Sequence, residues 1–435
     1  MKKNIILLAS SLFILTACGN QGGSSLTSGE GSLPSESTGE SLLPAKDGKI
    51  TLKKNNEGAE VSILHPGVQA YCDAMYEAEA AENLSEEEKY QIRTSVCGNV
   101  NPVDYQGDAN DNDRDDFKPI ELEWESTISY SGDYKVKWAT NGGMEGAEEK
   151  TVSGTSTTLV NLLCDTVYYW KVETADGAHD SVVGSFKTKG HFRNIKSGLA
   201  YNVRDFGGKM TSSGRRTKQG LIFRGGELTA VEYDTGIPQK HIVTWDEETN
   251  DILYGDLNIR YELDLRQSGR ETNNLSASNL HGDDGVVTYD CQSSGSYASL
   301  FNTGSATMLK HIFTVLGNAT EDAAVYFHCW GGADRTGTIA FLLDGLLGVS
   351  YTECCMDYEF TSFDTIHTRR RDVKVTDSNG YSYDFPALVT AIKNSSFYQE
   401  GKSFSDIVSD WMQERCNMSA AEVEQLKENL LEPAA

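Results

Sequence analysis

Residues 324–347 read AVYFHCWGGADRTGTIAFLLDGLL, and this stretch decides the fold of the C-terminal half of the chain. Its first five residues, 324–328, predict a short buried strand. The run from Ile339 to Leu347 is apolar on nearly every side, which predicts a deeply buried helix. Strand-like runs at 221–224 and 261–265 alternate with further helical segments. The half from residue 190 to 435 is therefore predicted to be an α/β domain.

The loop between this strand and helix has the composition of an anion-binding turn. Its backbone N–H groups can converge on an anion, and the dipole of the following helix adds positive potential at the same point. Two glycines allow the backbone to turn tightly. The candidate substrate-binding residues are Trp330, Gly331, Gly332, Ala333, Thr336 and Gly337.

Cys329 and Arg335 are the candidate catalytic pair of this loop. The planar guanidinium of Arg335 matches two phosphoryl oxygens and stabilises transition-state charge. A helix N-terminus and a nearby cation lower a thiol pKa from about 8.5 by several units. The resulting thiolate attacks phosphorus and forms a thiophosphate ester, which predicts phosphomonoester hydrolysis that requires no metal and no cofactor. Thr336 is placed to donate a hydrogen bond to the sulfur as it leaves.

His328-Cys329, five further residues and Arg335-Thr336-Gly337 together resemble the signature of the protein tyrosine phosphatase superfamily. The likeness is closest to its bacterial tyrosine/lipid phosphatase-like branch. Two more features resemble that branch and occur in the same order. The first is NVRDFGG at 202–208 followed by LIFRGG at 221–226, and the second is LDLR at 263–266 closed by Glu271. The likeness as a whole spans about residues 194–365. It implies a central sheet flanked by helices.

The resemblance makes Asp334 the first candidate for the general acid that protonates the leaving group, with Asp264 second. An equal alternative is that Asp334 braces the loop by accepting hydrogen bonds from backbone N–H groups. Arg204 and Asp205 are expected to pair with the loop or with each other. His328 is expected to point away from substrate and to tune the nucleophile by hydrogen bonding.

Position 333 departs from the branch, which usually carries Lys where this chain has Ala333. The resemblance links that Lys to phosphoinositide headgroups, so its absence favours phosphotyrosine or a small phosphoester. Trp330 is a candidate to stack on an aromatic leaving group, or else a packing residue. The alternatives left open are an inositol phosphate, phosphoinositide or nucleotide substrate, and a non-catalytic lipoprotein that binds a phosphorylated ligand or mediates adhesion.

Composition excludes a nucleic-acid partner, because 38 basic side chains face 64 acidic ones in 435 residues, a net charge of −26. Lys2 and Lys3 precede an apolar run of about 11 residues, too short to span a bilayer. Leu15-Thr16-Ala17-Cys18 resembles the lipobox of bacterial lipoproteins. We therefore expect a signal peptide at 1–17, lipid on Cys18, and a cell-membrane anchor facing the extracytoplasmic side. Residues 18–60 are predicted to be a flexible tether.

Residues 61–117 are predicted to form exposed helices followed by an acidic linker. The stretch 107–117 has neither the Gly at the sixth position nor the Glu at the twelfth that a calcium-binding loop requires. Cys72 and Cys97 flank a helical segment and are candidates to pair. No Cys/His cluster has zinc spacing. Adjacent Cys354 and Cys355 are expected to be packing residues.

Residues 118–189 are predicted to form an all-β, immunoglobulin-like sandwich. Apolar residues alternate with polar ones at 134–138 and 168–172, the pattern of half-buried strands. The segment from Leu162 to Val172 resembles the late strands of fibronectin type III domains, in which a Tyr anchors a corner. The resemblance assigns Tyr168 to that corner and Trp124 to the core. A spacer is the expected role, with binding of a polysaccharide or host protein as the alternative.

Overall fold

The computed structural model describes residues 50–81, 84–85, 88–89, 117–229, 245–266, 278–293, 295–364, 369–376 and 380–434. These residues belong to one unit, residues 42–435. The predicted signal peptide, Cys18, Cys97, the acidic stretch 107–116 and Glu271 lie outside the described residues, and what was expected of them stays a prediction.

Two β-sheets lie in the part of the described chain before residue 190. A three-stranded sheet has the order β1-β3-β6, and a five-stranded sheet has the order β2-β8-β7-β4-β5. Pairing is antiparallel except between β2 and β8. The strands are β1 (Ile50–Lys54), β2 (Ala59–Val61), β3 (Ile120–Ser126), β4 (Tyr134–Ala139), β5 (Glu148–Val152), β6 (Ser156–Leu159), β7 (Val167–Thr174) and β8 (Gly184–Thr188).

The two sheets share one apolar core. Leu122 and Trp124 from the first sheet and Val136, Trp170 and Val172 from the second belong to the same buried cluster. In β7 every second residue is buried, as the alternation predicted. The sheets therefore pack face to face, as the predicted all-β sandwich requires.

The corner that the sequence predicted at Tyr168 is present. The Tyr168 hydroxyl accepts a hydrogen bond from the N–H of Leu163 at 2.8 Å. A buried tyrosine that bonds to the backbone a few residues upstream is the corner geometry of immunoglobulin-like sandwiches. Trp124 is 1 % exposed, so it is a core residue as expected.

The prediction of a tether over 18–60 is wrong from Ile50 onward. Ile50 and Leu52 are buried, and β1 pairs with β3 so that Leu52 lies opposite Trp124. The alternating run is too short to stand out from the preceding polar residues. It becomes a strand because the edge of β3 offers backbone partners and an apolar face.

Helix α1 (Pro66–Ala80) lies within the described part of the 61–97 segment, which was predicted to form exposed helices. Exposure is the part of that prediction that is wrong. One face of α1, including Val68, Tyr71, Cys72 and Met75, is buried among side chains of the C-terminal half. The Glu and Ala residues describe only the outer face of an amphipathic helix.

A mixed five-stranded sheet is the centre of the C-terminal domain, with the order β12-β11-β13-β10-β9. Its pairs are parallel except that between β9 and β10. The strands are β9 (Arg204–Asp205), β10 (Ile222–Gly225), β11 (Ile259–Asp264), β12 (Val287–Asp290) and β13 (Ala324–His328), with a separate hairpin of β14 (Val375–Thr376) and β15 (Ser382–Tyr383).

Helices cover this sheet. The described helices are α2 (Glu247–Asn250), continued by a π-helical turn (Asp251–Asp256), α3 (Tyr297–Thr303), α4 (Ala306–Gly317), α5 (Asp334–Leu347), α6 (Tyr351–Glu359), continued by a 3-10 turn (Phe360–Phe363), α7 (Phe385–Lys393), α8 (Phe404–Arg415) and α9 (Ala420–Leu430). The predicted cap of α9 is confirmed, because Ser419 and Glu422 form a capping box. Cys354 and Cys355 are buried in α6, in the position of packing residues.

Strand β13 is buried on both sides. Val325 and Phe327 join the apolar cluster of α4, α5 and α8, while Ala324 and Tyr326 join a second cluster that contains Leu253. Such two-sided burial is typical of a parallel strand in an α/β sheet. The strands predicted near 221–224, 261–265 and 324–328 and the buried helix ending at Leu347 are thereby confirmed.

A seam of hydrogen bonds joins the sandwich to the C-terminal domain. The Asn161 side chain bonds to both the N–H and the carbonyl of Lys196, at 2.7 and 2.9 Å. The Gln219 side chain does the same for Cys164, at 2.8 and 3.1 Å. Arg216 pairs with Asp165. We call these three contacts the interdomain seam.

None of the helices in the described part of the chain combines the length and apolarity needed to cross a bilayer.

Candidate active site

Cys329 directly follows the central strand, and the loop 329–333 leads into the first turn of α5. The parallel neighbours β10 and β11 end beside it, since Gly225 and Asp264 both pair with His328. Side chains at the carboxyl ends of these strands therefore surround the loop. The cysteine itself is 2 % exposed.

Four successive carbonyl groups of the loop are held from outside. Within a peptide plane the N–H points away from the carbonyl, so these bonds turn the loop N–H groups inward. The donors are His328 Nδ1 to Cys329 at 2.9 Å, Tyr201 Oη and the Glu227 N–H to Trp330 at 2.6 and 3.1 Å, Asn202 Nδ2 to Gly331 at 2.8 Å, and Arg224 Nη2 to Gly332 at 2.8 Å. The anion-binding shape is thus set by the protein alone.

Gly332 is the position where this turn requires glycine. Its φ is +65°, and a Cβ there would lie 2.0 Å from the carbonyl oxygen of Gly225. A side chain would therefore push the loop away from the end of β10. Ala333, the position at which the branch usually has Lys, is fully buried. Trp330 is half-buried and packs against Tyr201.

The thiol of Cys329 is placed for ionisation. Burial alone would raise its pKa, but Arg335 and the hydrogen bonds from Thr336 outweigh burial, so the pKa of the Cys329 thiol is lowered. The Thr336 hydroxyl is fully buried, and no group of the described residues meets hydrogen-bond geometry with it. Arg335 Nη1 donates to the carbonyl of Leu265 at 3.0 Å, which anchors one arm of its guanidinium.

His328 supports the loop from beneath. The carbonyl of Cys329 can only accept, so His328 Nδ1 carries a proton, and Nε2 lies 2.8 Å from Glu262. Burial lowers the pKa of His328, but Asp264 and Glu262 outweigh it and leave the pKa raised. A protonated imidazole donates at both nitrogens, so His328 can hold the Cys329 carbonyl and the Glu262 carboxylate at once.

Arg204 and Asp205 were expected to pair with the loop or with each other, and this is wrong. Arg204 donates to Asp357 at 2.9 Å and to Asn202 Oδ1 at 2.6 Å. Asp205 instead pairs with Arg193 at 2.8 Å. The reason is that adjacent strand residues point to opposite faces of a sheet. Arg204 still acts on the loop, because Asn202 bonds to the loop carbonyl.

The two candidate acids differ in their surroundings. Asp264 is held by Arg266 Nε and Nη2 at 2.9 and 2.6 Å. Burial would raise the pKa of Asp264, but His328 and Arg266 outweigh burial and lower it, which makes Asp264 a poor proton donor. Asp334 has a quarter of its side chain exposed.

In the described residues, Asp334 is held by side chains from distant segments on both sides of it in the chain rather than by loop N–H groups. Arg369 Nε donates to Oδ1 at 2.8 Å and Nη2 donates to Oδ2 at 3.0 Å. The Tyr297 hydroxyl also donates to Oδ1 and lies 2.7 Å from the Tyr358 hydroxyl. The alternative of a brace formed by backbone N–H groups is therefore not supported. We call Arg369 and Tyr297 with this carboxylate the Asp334 clamp.

Sequence reasoning missed several residues that shape the site. Arg224 was quoted only within a resemblance, yet it lies at the end of β10 and binds both Asp357 and the Gly332 carbonyl. Glu227 pairs with Arg266 at 2.8 Å. Arg369 belongs to a run of three arginines in a strongly acidic chain, and that local charge was a signal that could have pointed to it. Among the described residues, no group of three or more His, Cys, Asp or Glu side chains could hold a metal ion.

Comparison with known proteins agrees with this geometry. A search of curated proteins finds no significant match. A family model described as tyrosine phosphatase family matches residues 196–432, which is more than half of the 435-residue chain. The match contains the loop, both candidate acids and the residues that hold them. The chain therefore belongs to the tyrosine phosphatase family.

Proposed function

We propose that this protein hydrolyses phosphomonoesters through a cysteinyl-phosphate intermediate and that its substrate is phosphotyrosine in a protein. The observation that carries the proposal is a buried thiol of lowered pKa within a loop whose carbonyls are all tied back. A thiolate at the centre of inward N–H groups is suited to attack a bound phosphoryl group.

Arg335 and the loop N–H groups bind the three terminal phosphoryl oxygens. The Cys329 thiolate attacks phosphorus in line, the bond to the ester oxygen breaks, and Asp334 gives its proton to the departing oxygen. Water then attacks the phosphoryl group, Asp334 takes the water proton, and the thiolate leaves with a hydrogen bond from Thr336. The products are an alcohol or phenol and inorganic phosphate.

Three features favour phosphotyrosine over a multiply phosphorylated ligand. Trp330 keeps an exposed part beside the loop, where a flat leaving group can contact it. Ala333 is uncharged and buried, so position 333 contributes no second cation for additional phosphates. The chain as a whole is also strongly acidic, which disfavours highly anionic substrates.

A substrate panel tests this assignment. The full-length chain under reducing conditions should release phosphate from phosphotyrosine peptides with a kcat/KM well above that for phosphoserine peptides, inositol phosphates and phosphoinositide vesicles. Preference for the inositol compounds would replace the substrate proposed here. Binding of phosphotyrosine without turnover would instead favour a phospho-ligand-binding lipoprotein.

The role of Asp334 is tested by Asp334→Asn, which keeps an oxygen for the clamp but removes the transferable proton. A general acid contributes about 10²-fold or more, and only where the leaving group needs a proton. Asp334 also takes the water proton in the second step, which is common to all esters, so the measurement is kcat/KM, which reports the cysteine phosphorylation step alone. We expect kcat/KM to fall by about 10²-fold for phenyl phosphate and by less than about 5-fold for 2,4-dinitrophenyl phosphate.

Asp264→Asn is the matched comparison, since its carboxylate also faces an arginine. It should not produce the dependence on leaving group. If Asp264→Asn showed the selective loss and Asp334→Asn did not, the two assignments would be exchanged.

We further propose that lipid on Cys18 anchors the enzyme at the cell membrane on the extracytoplasmic side, as the lipobox resemblance implies. Metabolic labelling with a fatty acid should mark the wild-type chain in the membrane fraction. The label should be absent from Cys18→Ser. Labelling that survives this substitution would reject the anchor.

A further inference from the structure

The N-terminal helix α1 places a tyrosine at the back of the C-terminal domain. Tyr71 is 1 % exposed, and its ring packs edge-on against Phe360 and Phe363, at 6.0 and 5.3 Å between centroids. Its hydroxyl donates to a carboxylate oxygen of Glu359, at the end of α6. Helix α1 is thus bonded, as well as packed, to the domain that carries the loop.

Glu359 in turn fixes the segment that contains Arg369. It accepts from the N–H of Arg371 at 2.8 Å and from Nε and Nη2 of that residue at 2.9 and 2.6 Å. Ser362 accepts from the N–H of Arg369 at 2.7 Å and donates to its carbonyl at 2.9 Å. Two residues of one short segment are therefore fastened to consecutive turns of one helical element.

The other end of this segment is Arg369, which belongs to the Asp334 clamp. The Arg369 guanidinium meets both oxygens of Asp334 and lies 3.4 Å from the centre of the Tyr383 ring. Glu359, Arg369 and Arg371 are each at most 4 % exposed. Because water does not reach these groups, a shift at one end is not absorbed by solvent. The connection runs from Tyr71 through Glu359, Arg371 and Arg369 to Asp334.

We propose that Tyr71 is a positioning residue for the proton transfer at the catalytic loop, and that helix α1 is a working part of the phosphatase site. The proposal rests on the proposed function, since it gives Asp334 the task of moving a proton. Tyr71 acts by holding the Glu359 carboxylate, which holds the backbone that aims Arg369. Loss of its hydroxyl leaves Glu359 one donor short and loosens the aim of the Asp334 carboxylate.

The test compares Tyr71→Phe with Tyr76→Phe in the full-length chain. The control is closely matched, because the Tyr76 hydroxyl donates from the same helix to another glutamate of α6, Glu353, at 2.8 Å. In the described residues, the Glu353 carboxylate bonds to His191 and accepts from the Ser350 hydroxyl, and it does not bond to Arg371. Each variant therefore loses one hydroxyl at the same interface, and only one of them lies on the path to Asp334.

We expect Tyr71→Phe to lower kcat/KM, which reports the cysteine phosphorylation step, by about 10-fold for phenyl phosphate, because small misplacements of a catalytic group are costly. For 2,4-dinitrophenyl phosphate, whose leaving group needs no proton, kcat/KM should stay within about 2-fold. Tyr76→Phe should keep both rates. Glu359→Gln should repeat the selective loss, and thermal melting should correct every rate for the folded fraction.

Equal behaviour of the two tyrosine variants, or a Tyr71→Phe loss that is the same on both substrates, would overturn the proposal and leave Tyr71 a purely structural residue. Those results differ from failure of the proposed function. In that case the wild-type chain would turn over neither ester, and both proposals would fall together.

Discussion

Cys329→Ser is expected to lower kcat for para-nitrophenyl phosphate by about 10⁴-fold or more, because a serine hydroxyl is not ionised where the thiol is. The loop carbonyls stay tied back and Arg335 keeps its place, so the variant should still bind a phosphotyrosine peptide. Turnover and equilibrium binding are the two measurements. Loss of the first with retention of the second identifies Cys329 as the nucleophile.

Cys416→Ser is the control for this experiment. Cys416 is also a fully buried thiol, but it caps the C-terminus of α8. Any loss that follows from placing a hydroxyl in the core should appear in both variants. If Cys329→Ser retained turnover when corrected for folded protein, the cysteinyl-phosphate mechanism would be wrong.

Arg335→Met carries the second large expectation. It removes the cation that we propose binds the phosphoryl group, and loss of even one oxyanion donor costs about 10²- to 10³-fold in kcat. We expect a loss of at least about 10³-fold, since the charge and the fork are removed together. The measurement is kcat for para-nitrophenyl phosphate, with phosphate release as the readout.

The same variant should also change the pH dependence of Cys329 reactivity. Arg335 helps to lower the pKa of the Cys329 thiol, so its removal raises that pKa and reduces the thiolate at a given pH below it. Alkylation of Cys329 by iodoacetamide should therefore slow, and its pH profile should move to higher pH. Arg260→Met, whose guanidinium lies over the Tyr254 ring at 3.8 Å, should change neither profile nor rate. An unshifted profile in Arg335→Met would contradict the electrostatic role.

A feature could be predicted from the sequence when the residues that determine it are close together in the chain. The strand, loop and helix at 324–347 are encoded by neighbouring residues, so their order, burial and chemistry could be predicted together. The cap at Ser419 is local for the same reason. Cys329 and Arg335 follow from their spacing within one loop. For these features, the tertiary structure adds little that the local pattern lacks.

The Asp334 clamp could not be predicted, because its members lie far apart in the chain. Nothing near Asp334 indicates that Arg369 and Tyr297 will approach it, and their meeting depends on how α3 and the segment after α6 pack. The same limit explains why strand β1 was not predicted, because it forms only by pairing with the edge of β3, a distant segment. Pairing between distant segments is set by the whole fold, and local periodicity does not encode it.

The prediction that Arg204 pairs with Asp205 or with the loop was wrong for a different reason. The sequence placed Arg204 and Asp205 side by side, and adjacent opposite charges invite a local ion pair. Strand geometry prevents it, since the two side chains leave the backbone on opposite sides. Arg204 pairs with Asp357 and Asp205 pairs with Arg193, because burying a charge costs free energy unless it is paired.

The interdomain seam and helix α1 limit how this architecture can be exchanged during evolution. Multidomain proteins are commonly rearranged by recombination at exposed linkers, where few contacts cross the boundary. Here a cut near residue 190 would expose Phe192, Met356 and Phe360 and would leave the Glu359 carboxylate without its tyrosine donor. The sandwich, helix and catalytic domain are therefore expected to be inherited as a unit. A catalytic domain joined to another β-domain would need new residues to cover this apolar surface and to bind the Glu359 carboxylate.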